Sequence, residues 1–108
     1  MGKRVKLELN GKTYVAEWDR QQFSKMEKAG YSVQLGMEQP LNYSFGIFKF
    51  SLQKNQPSLS DNQVNDLFDV FVKEYSLTEY NEWANTEYLD FFNPIQPDTS
   101  KKKSLDFE

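Results

Sequence analysis

The sequence predicts an α+β domain: an N-terminal β-hairpin over residues 3–18, about four α-helices, and a disordered C-terminal tail. Three observations predict it. Apolar residues alternate on both sides of Asn10-Gly11; Asp19, Ser60 and Ser76 each stand three positions before a Gln or Glu; and an i, i+3, i+4, i+7 apolar stripe runs through residues 64–75.

The hairpin is the clearest element. Val5, Leu7 and Leu9 alternate with Lys6 and Glu8, Asn10-Gly11 suits the two positive φ angles of a type I′ turn, and Tyr14, Ala16 and Trp18 resume the alternation. A two-residue turn sets Leu7 opposite Tyr14 and Val5 opposite Ala16 on one face, with Arg4 opposite Glu17 and Glu8 opposite Thr13 on the other. An isolated hairpin is marginal in water, so its apolar face must lie on something. A helix over about 20–29 follows, with Asp19 as N-cap, Gln22 completing a capping box, Trp18 stapled onto Phe23, and Gly30 with Tyr31 closing a Schellman motif.

Residues 32–39 lack a period and read as a loop, after which Pro40 fits the first turn of a helix over about 40–54. Leu41, Phe45, Phe48 and Leu52 have helical spacing, although Tyr43, Phe45 and Ile47 also alternate as a strand would; helix is preferred. Tyr43, Ile47 and Phe50 then occupy a second face, so this helix is apolar nearly all round and must be central or covered by another chain. Ser60 with Gln63 caps an amphipathic helix over 61–75, whose stripe is Val64, Leu67, Phe68, Phe71 and Tyr75. Ser76 with Glu79 starts a last helix over 77–92, and Asn93-Pro94 stops it. Residues 1–93 form one domain, and 94–108, rich in polar residues and bearing Lys101-Lys102-Lys103, read as the tail.

Composition narrows the function. Among 108 residues there is no Cys and no His, which removes disulfides, thiolate nucleophiles, the commonest general base and the commonest transition-metal ligand. The remaining acid pairs, such as Asp66 with Asp69, decorate solvated helix faces, and no calcium loop or Gly-rich phosphate loop is present. No catalytic residue, metal site or cofactor is expected. No apolar run approaches the length of a membrane span and the N-terminus lacks a signal-peptide pattern, so a soluble intracellular protein is expected. Residues 1–54 carry a net charge of +4 and residues 55–93 one of −7. These complementary halves read first as solvated faces that attract within the fold, and second as a route to self-association or to a basic partner. Nucleic acid is disfavoured, because the basic residues are interleaved with acids.

The aromatic content is high, at 16%, in a chain of low mean hydropathy, −0.77. Trp18, Phe23, Phe45, Phe48, Phe68, Phe71 and Trp83 fall at core positions, whereas Tyr43, Phe50, Tyr88, Phe91 and Phe92 exceed what one small core holds. Large aromatics outside a core are typical interface anchors. Tyr80, Trp83, Tyr88 and Phe91 of the acidic half, with Phe50 and Tyr43, are therefore the candidate partner-binding residues.

The run Leu7-Glu8-Leu9-Asn10-Gly11-Lys12-Thr13-Tyr14, the Asp19-Arg20 helix start, Met26-Glu27-Lys28-Ala29-Gly30-Tyr31 and Gln39-Pro40-Leu41 resemble, in that order, small tail assembly chaperones of long-tailed bacteriophages, in the form carried by phages and prophages of Gram-positive bacteria. The likeness spans about residues 5–92. It implies a non-enzymatic protein of the bacterial host cytoplasm that binds the tape measure protein, keeps it soluble during tail assembly, and self-associates. The alternative is a small structural or connector protein of the virion acting through oligomeric contacts. A nucleic-acid-binding regulator working through the basic hairpin is a third, weaker reading.

Overall fold

The computed structural model describes residues 4–92, apart from the side chains of Phe91 and Phe92. The expected tail over 94–108 and the start of the hairpin at Lys3 lie outside the described residues. The elements are β1 (Val5–Leu9), β2 (Lys12–Ala16), α1 (Arg20–Lys28), α2 (Val33–Glu38), α3 (Pro40–Gln53), α4 (Asp61–Glu74) and α5 (Leu77–Phe92). The described residues form an α+β fold with a two-stranded antiparallel sheet and five helices.

β1 and β2 pair in the expected register, Leu7 with Tyr14 and Val5 with Ala16, around Asn10 at φ 53° and Gly11 at φ 78°. Arg4 Nε lies 3.2 Å from the Glu17 carboxylate on the outer face. At α1, the Asp19 carboxylate accepts the Gln22 N–H at 2.8 Å, and Trp18 stacks on Phe23 at 4.0 Å between ring centroids. The capping box is not reciprocal, however. Gln22 is buried and its amide donates to the Phe50 carbonyl at 2.8 Å, because an inward-facing amide is better satisfied by that acceptor than by its own helix start. The Schellman bonds form as the sequence predicts, with Tyr31 N–H donating to Met26 C=O and Gly30 at φ 98°.

The segment expected as a loop contains α2. Ser32 Oγ accepts the Leu35 N–H at 3.3 Å and nucleates one short helix in which no residue is buried. It therefore lacks the buried apolar stripe that marks the other helices. Its Gly36 lets the Tyr43 ring come close: a Cβ there would stand 2.9 Å from Tyr43 Cδ2.

α3 is the centre of the molecule, touching α1, α2, β2, α4 and α5. Phe48 is fully buried and meets Phe71 at 4.8 Å, Phe68 at 5.4 Å and Tyr80 at 6.4 Å. Leu41, placed by its spacing with Phe45, Phe48 and Leu52, is instead 63% exposed, since it lies in the first turn of α3 beyond the ring cluster. α4 carries the reciprocal Ser60–Gln63 capping box, and the Ser76 hydroxyl accepts the Glu79 N–H at 3.1 Å at the start of α5. Glu87 is buried, because it continues the inward Tyr80–Ala84 stripe of α5.

The hairpin is tied to α3 along β2. Glu17 N–H donates to Ser51 C=O at 2.8 Å, while the Gln56 amide takes the Val15 N–H at 2.8 Å and returns a bond to the Val15 carbonyl at 3.0 Å. Lys54 Nζ bridges Glu17 and Asp19, each at 3.1 Å. The hydrogen bond from Asn55, with Lys54 and Arg4 nearby, holds the Glu17 carboxyl below its usual range. For Asp19, burial acts upward but is outweighed by the Gln22 N–H and Lys54, so its carboxyl is also lowered.

Two predictions follow from these contacts. A Cβ on Gly46 would fall within the Tyr31 side chain. Overpacking of about 1–3 kcal/mol then exceeds the ~1 kcal/mol gained in helix propensity, so Gly46→Ala lowers the urea midpoint; in a Tyr31→Ala background the same change becomes neutral or stabilising. Because the folded-state pKa values of Glu17 and Asp19 are depressed, their stabilisation is present above the unfolded carboxylate pKa and is lost as pH falls through the folded values. Thermal melts from about pH 5 to about pH 3 are expected to fall more steeply for the wild type than for Glu17→Gln.

Candidate partner-binding surface

The six candidate anchors do not gather on one face. Phe50 and Tyr80 are core residues, 5% and 6% exposed, so a partner reaches neither without opening the fold. The Phe50 ring lies 5.9 Å from Tyr31 with Lys49 Nζ 5.5 Å above it. Tyr80 meets Phe71 edge-on at 4.8 Å and Trp83 at 5.2 Å. Its hydroxyl lies 2.5 Å from Ser51 Oγ, and Ser51 donates its one proton to the Phe48 carbonyl at 2.8 Å. Tyr80 is therefore the donor to Ser51. Burial pushes the Tyr80 phenol far above its ordinary pKa, the Ser51 contact only partly offsetting it. The sequence placed these rings outside the core because α3 and α5 carry apolar residues on more than one face; five elements pack around α3, and the core takes Phe50 and Tyr80 where Phe45 and Trp83, read as core, are only half-buried.

Tyr43 and Tyr88 are half-buried and come together around Glu27 of α1. The Tyr88 hydroxyl donates to the Glu27 carboxylate at 2.9 Å, and its ring meets Phe23 edge-on at 5.1 Å. Both phenols are raised, each first by burial and then by the Glu27 carboxylate. Trp83, also half-buried, stands apart beside β1, and its indole N–H is buried with no acceptor. The Phe91 side chain lies outside the described residues.

The large apolar side chains that do face solvent are mostly aliphatic: Val33 at 55%, Met37 at 82%, Leu41 at 63%, Leu89 at 51% and Val72 at 38%. Val33 and Met37 share one face of α2, and Leu41 follows four residues later in the first turn of α3. Sequence reasoning missed Val33 and Met37 by treating 32–39 as a loop. The signals that could have found them were Ser32 as an N-cap and the repeated spacing of four.

Two polar features complete the surface. An open groove lined by Asp19, Gln21, Gln22, Lys25 and Lys54 has a volume of about 490 Å³; its Asp19 and Lys54 are paired with each other, and Lys25 Nζ lies 3.5 Å from the Gln22 amide oxygen. A smaller groove of about 180 Å³ lies between β1 and the start of α5. Among the described residues no cluster of three or more acidic side chains could hold a metal ion, and no helix is long and apolar enough to cross a membrane.

Hairpin, wrapped central helix and exposed aliphatic side chains define a small α+β domain. The chain belongs to the DUF5055 family, a domain of unknown function, whose model matches residues 1–106. Neither the curated proteins nor the solved structures include a match to it.

The Tyr80–Ser51 pair supplies a test of the core. Tyr80→Phe removes a donor and leaves Ser51 still bonded to Phe48, costing about 1 kcal/mol, whereas Ser51→Ala strands a buried phenol O–H and costs about 1–3 kcal/mol. Chemical denaturation of both variants is expected to rank Ser51→Ala as the less stable.

Proposed function

We propose that this protein is a non-enzymatic tail assembly chaperone of a long-tailed phage or prophage, which binds the tape measure protein and keeps it soluble in the host cytoplasm until tail tube subunits enclose it. The observation that supports this reading is the exposure of Val33, Met37 and Leu41 on either side of the α2–α3 junction. A client-holding surface needs apolar side chains that are available without unfolding, and these three are. The resemblance of the hairpin, the Asp19 helix start and the Gln39-Pro40-Leu41 segment to that chaperone family supplies the client. The proposal moves the client surface from the aromatics of α5 to the α2–α3 rim, since Tyr80 is enclosed and Trp83 and Tyr88 are half-buried. Self-association belongs to the same proposal, with the oppositely charged halves of the chain as its support.

Co-expression with a tape measure fragment tests it. The fragment is expected in the soluble fraction only with this protein, and the double variant Met37→Asp, Leu41→Asp is expected to lose the complex while keeping the wild-type melting temperature within a few degrees, since both side chains are exposed. A fragment equally soluble alone, or a double variant that binds unchanged, removes the assignment. Finding the chain in purified particles would favour a structural virion role instead.

A further inference from the structure

The two edges of the hairpin are treated differently. Val15 directs its N–H and C=O away from β1, to Gln56, so Val15 and its partner Lys6 form a non-hydrogen-bonded pair. The N–H and C=O of Lys6 must therefore also point outward, from the free side of β1. Glu8, two residues on, confirms the geometry: its N–H points outward and is taken by the Tyr75 hydroxyl at 2.9 Å. Among the described residues nothing pairs with Lys6 on that side, whereas Gln56 and Ser51 close the edge of β2.

Beneath the β1 edge lies the groove of about 180 Å³, walled by Val5, Leu7, Tyr75, Tyr80 and Trp83, with Glu79 beside them. Pockets for small molecules are generally larger, about 300–1,000 Å³, so the space suits a single large side chain better than a cofactor. A strand laid along β1 would carry the side chains opposite Val5 and Leu7 on their own face, into this groove. Trp83, one of the walls, has its indole N–H buried without an acceptor. The charges within reach are Glu79 at the groove and Glu8 on the opposite face, against Lys6; Arg4 is already paired with Glu17.

We propose that the free edge of β1 and the groove below it bind an extended peptide of alternating apolar and basic residues, which adds a third strand to the hairpin. Backbone pairing at Lys6 supplies the register, the groove takes one apolar side chain, and Glu8 and Glu79 select positive charge. The site is separate from the α2–α3 rim and does not depend on the chaperone reading.

The test is a titration of the full chain, without any tape measure fragment, with a seven-residue capped peptide alternating Lys and Val. Three readouts are followed: the amide resonances of Lys6 and Glu8, hydrogen exchange at Lys6, and the Trp83 indole resonance. Binding is expected to shift all three and to slow Lys6 exchange. The same peptide N-methylated on alternate residues, or with Glu replacing Lys, is expected to bind at least about tenfold more weakly. Glu79→Gln, an exposed change, is expected to weaken the Lys peptide several-fold with an unchanged melting temperature. No shift at Lys6 and Trp83 with millimolar peptide, or equal binding of the N-methylated form, overturns the proposal. So does a dimer of the free chain that protects the Lys6 amide, since a second copy would then own the edge.

Discussion

The fold depends on enclosing α3. A helix apolar on nearly its whole circumference cannot face water, so each neighbouring element must cover part of it. What makes close cover feasible is that α3 offers small residues where its neighbours meet it. Ser51 receives the hairpin through its carbonyl and Tyr80 of α5 through its hydroxyl. Ser44 accepts the Asn81 amide at 2.9 Å, a second bond to α5, and Gly46 leaves room for Tyr31 at the turn after α1. The large side chains between them, Ile47, Phe48, Phe50 and Leu52, fill the spaces that remain and are all buried. Hydrophobic area supplies the drive, and the small polar residues fix which neighbour sits where.

The hairpin is a case of that dependence. Two strands alone are marginal in water, and this pair is held because Leu7, Leu9 and Ala16 are buried and because β2 is bonded to the α3 end and the following turn. Gln56 acts as a fragment of a third strand, supplying one acceptor and one donor to Val15. The Lys54 bridge to Glu17 and Asp19 sits beside this junction, so the side chains that close the β2 edge also fix the start of α1. β1 has only the Tyr75 hydroxyl, at one residue, and the asymmetry of the sheet follows from which edge faces α3.

What was legible in the sequence was local. The Asn10-Gly11 turn, the Asp19 and Ser60 caps, the Trp18–Phe23 staple and the Gly30 termination are each set by interactions within a few residues, and all are present. Features decided at longer range were not legible. Gln22 looks like a capping residue until the Phe50 carbonyl, 28 positions away, is brought to it. Leu41 fits the α3 stripe by spacing, and only the end of the ring cluster shows that nothing covers it. α2 was missed because none of its residues is buried, so it lacks the stripe that marks the other helices and leaves only the Ser32 cap and the Val33–Met37 spacing to read. Of the candidate surface, Tyr43 and Tyr88, read as lying beyond the core, and Trp83, read at a core position, are all half-buried, while the exposed Val33 and Met37 were not foreseen at all.

The same long-range effects change the meaning of the aromatic excess. Rings that had seemed surplus to one small core are absorbed by it: Phe50 by the buried face of α3, Tyr80 by Phe48 and Phe71. The most exposed apolar side chains are then Met37, Leu41 and Val33. That difference has a physical consequence for recognition. Aromatic anchors fix a partner through ring geometry and a specific pocket, whereas flexible aliphatic side chains, methionine above all, repack against many apolar shapes. A rim of this composition would grip by area rather than by sequence, which is why the proposed role is transient cover of a long client rather than a permanent joint between two defined subunits.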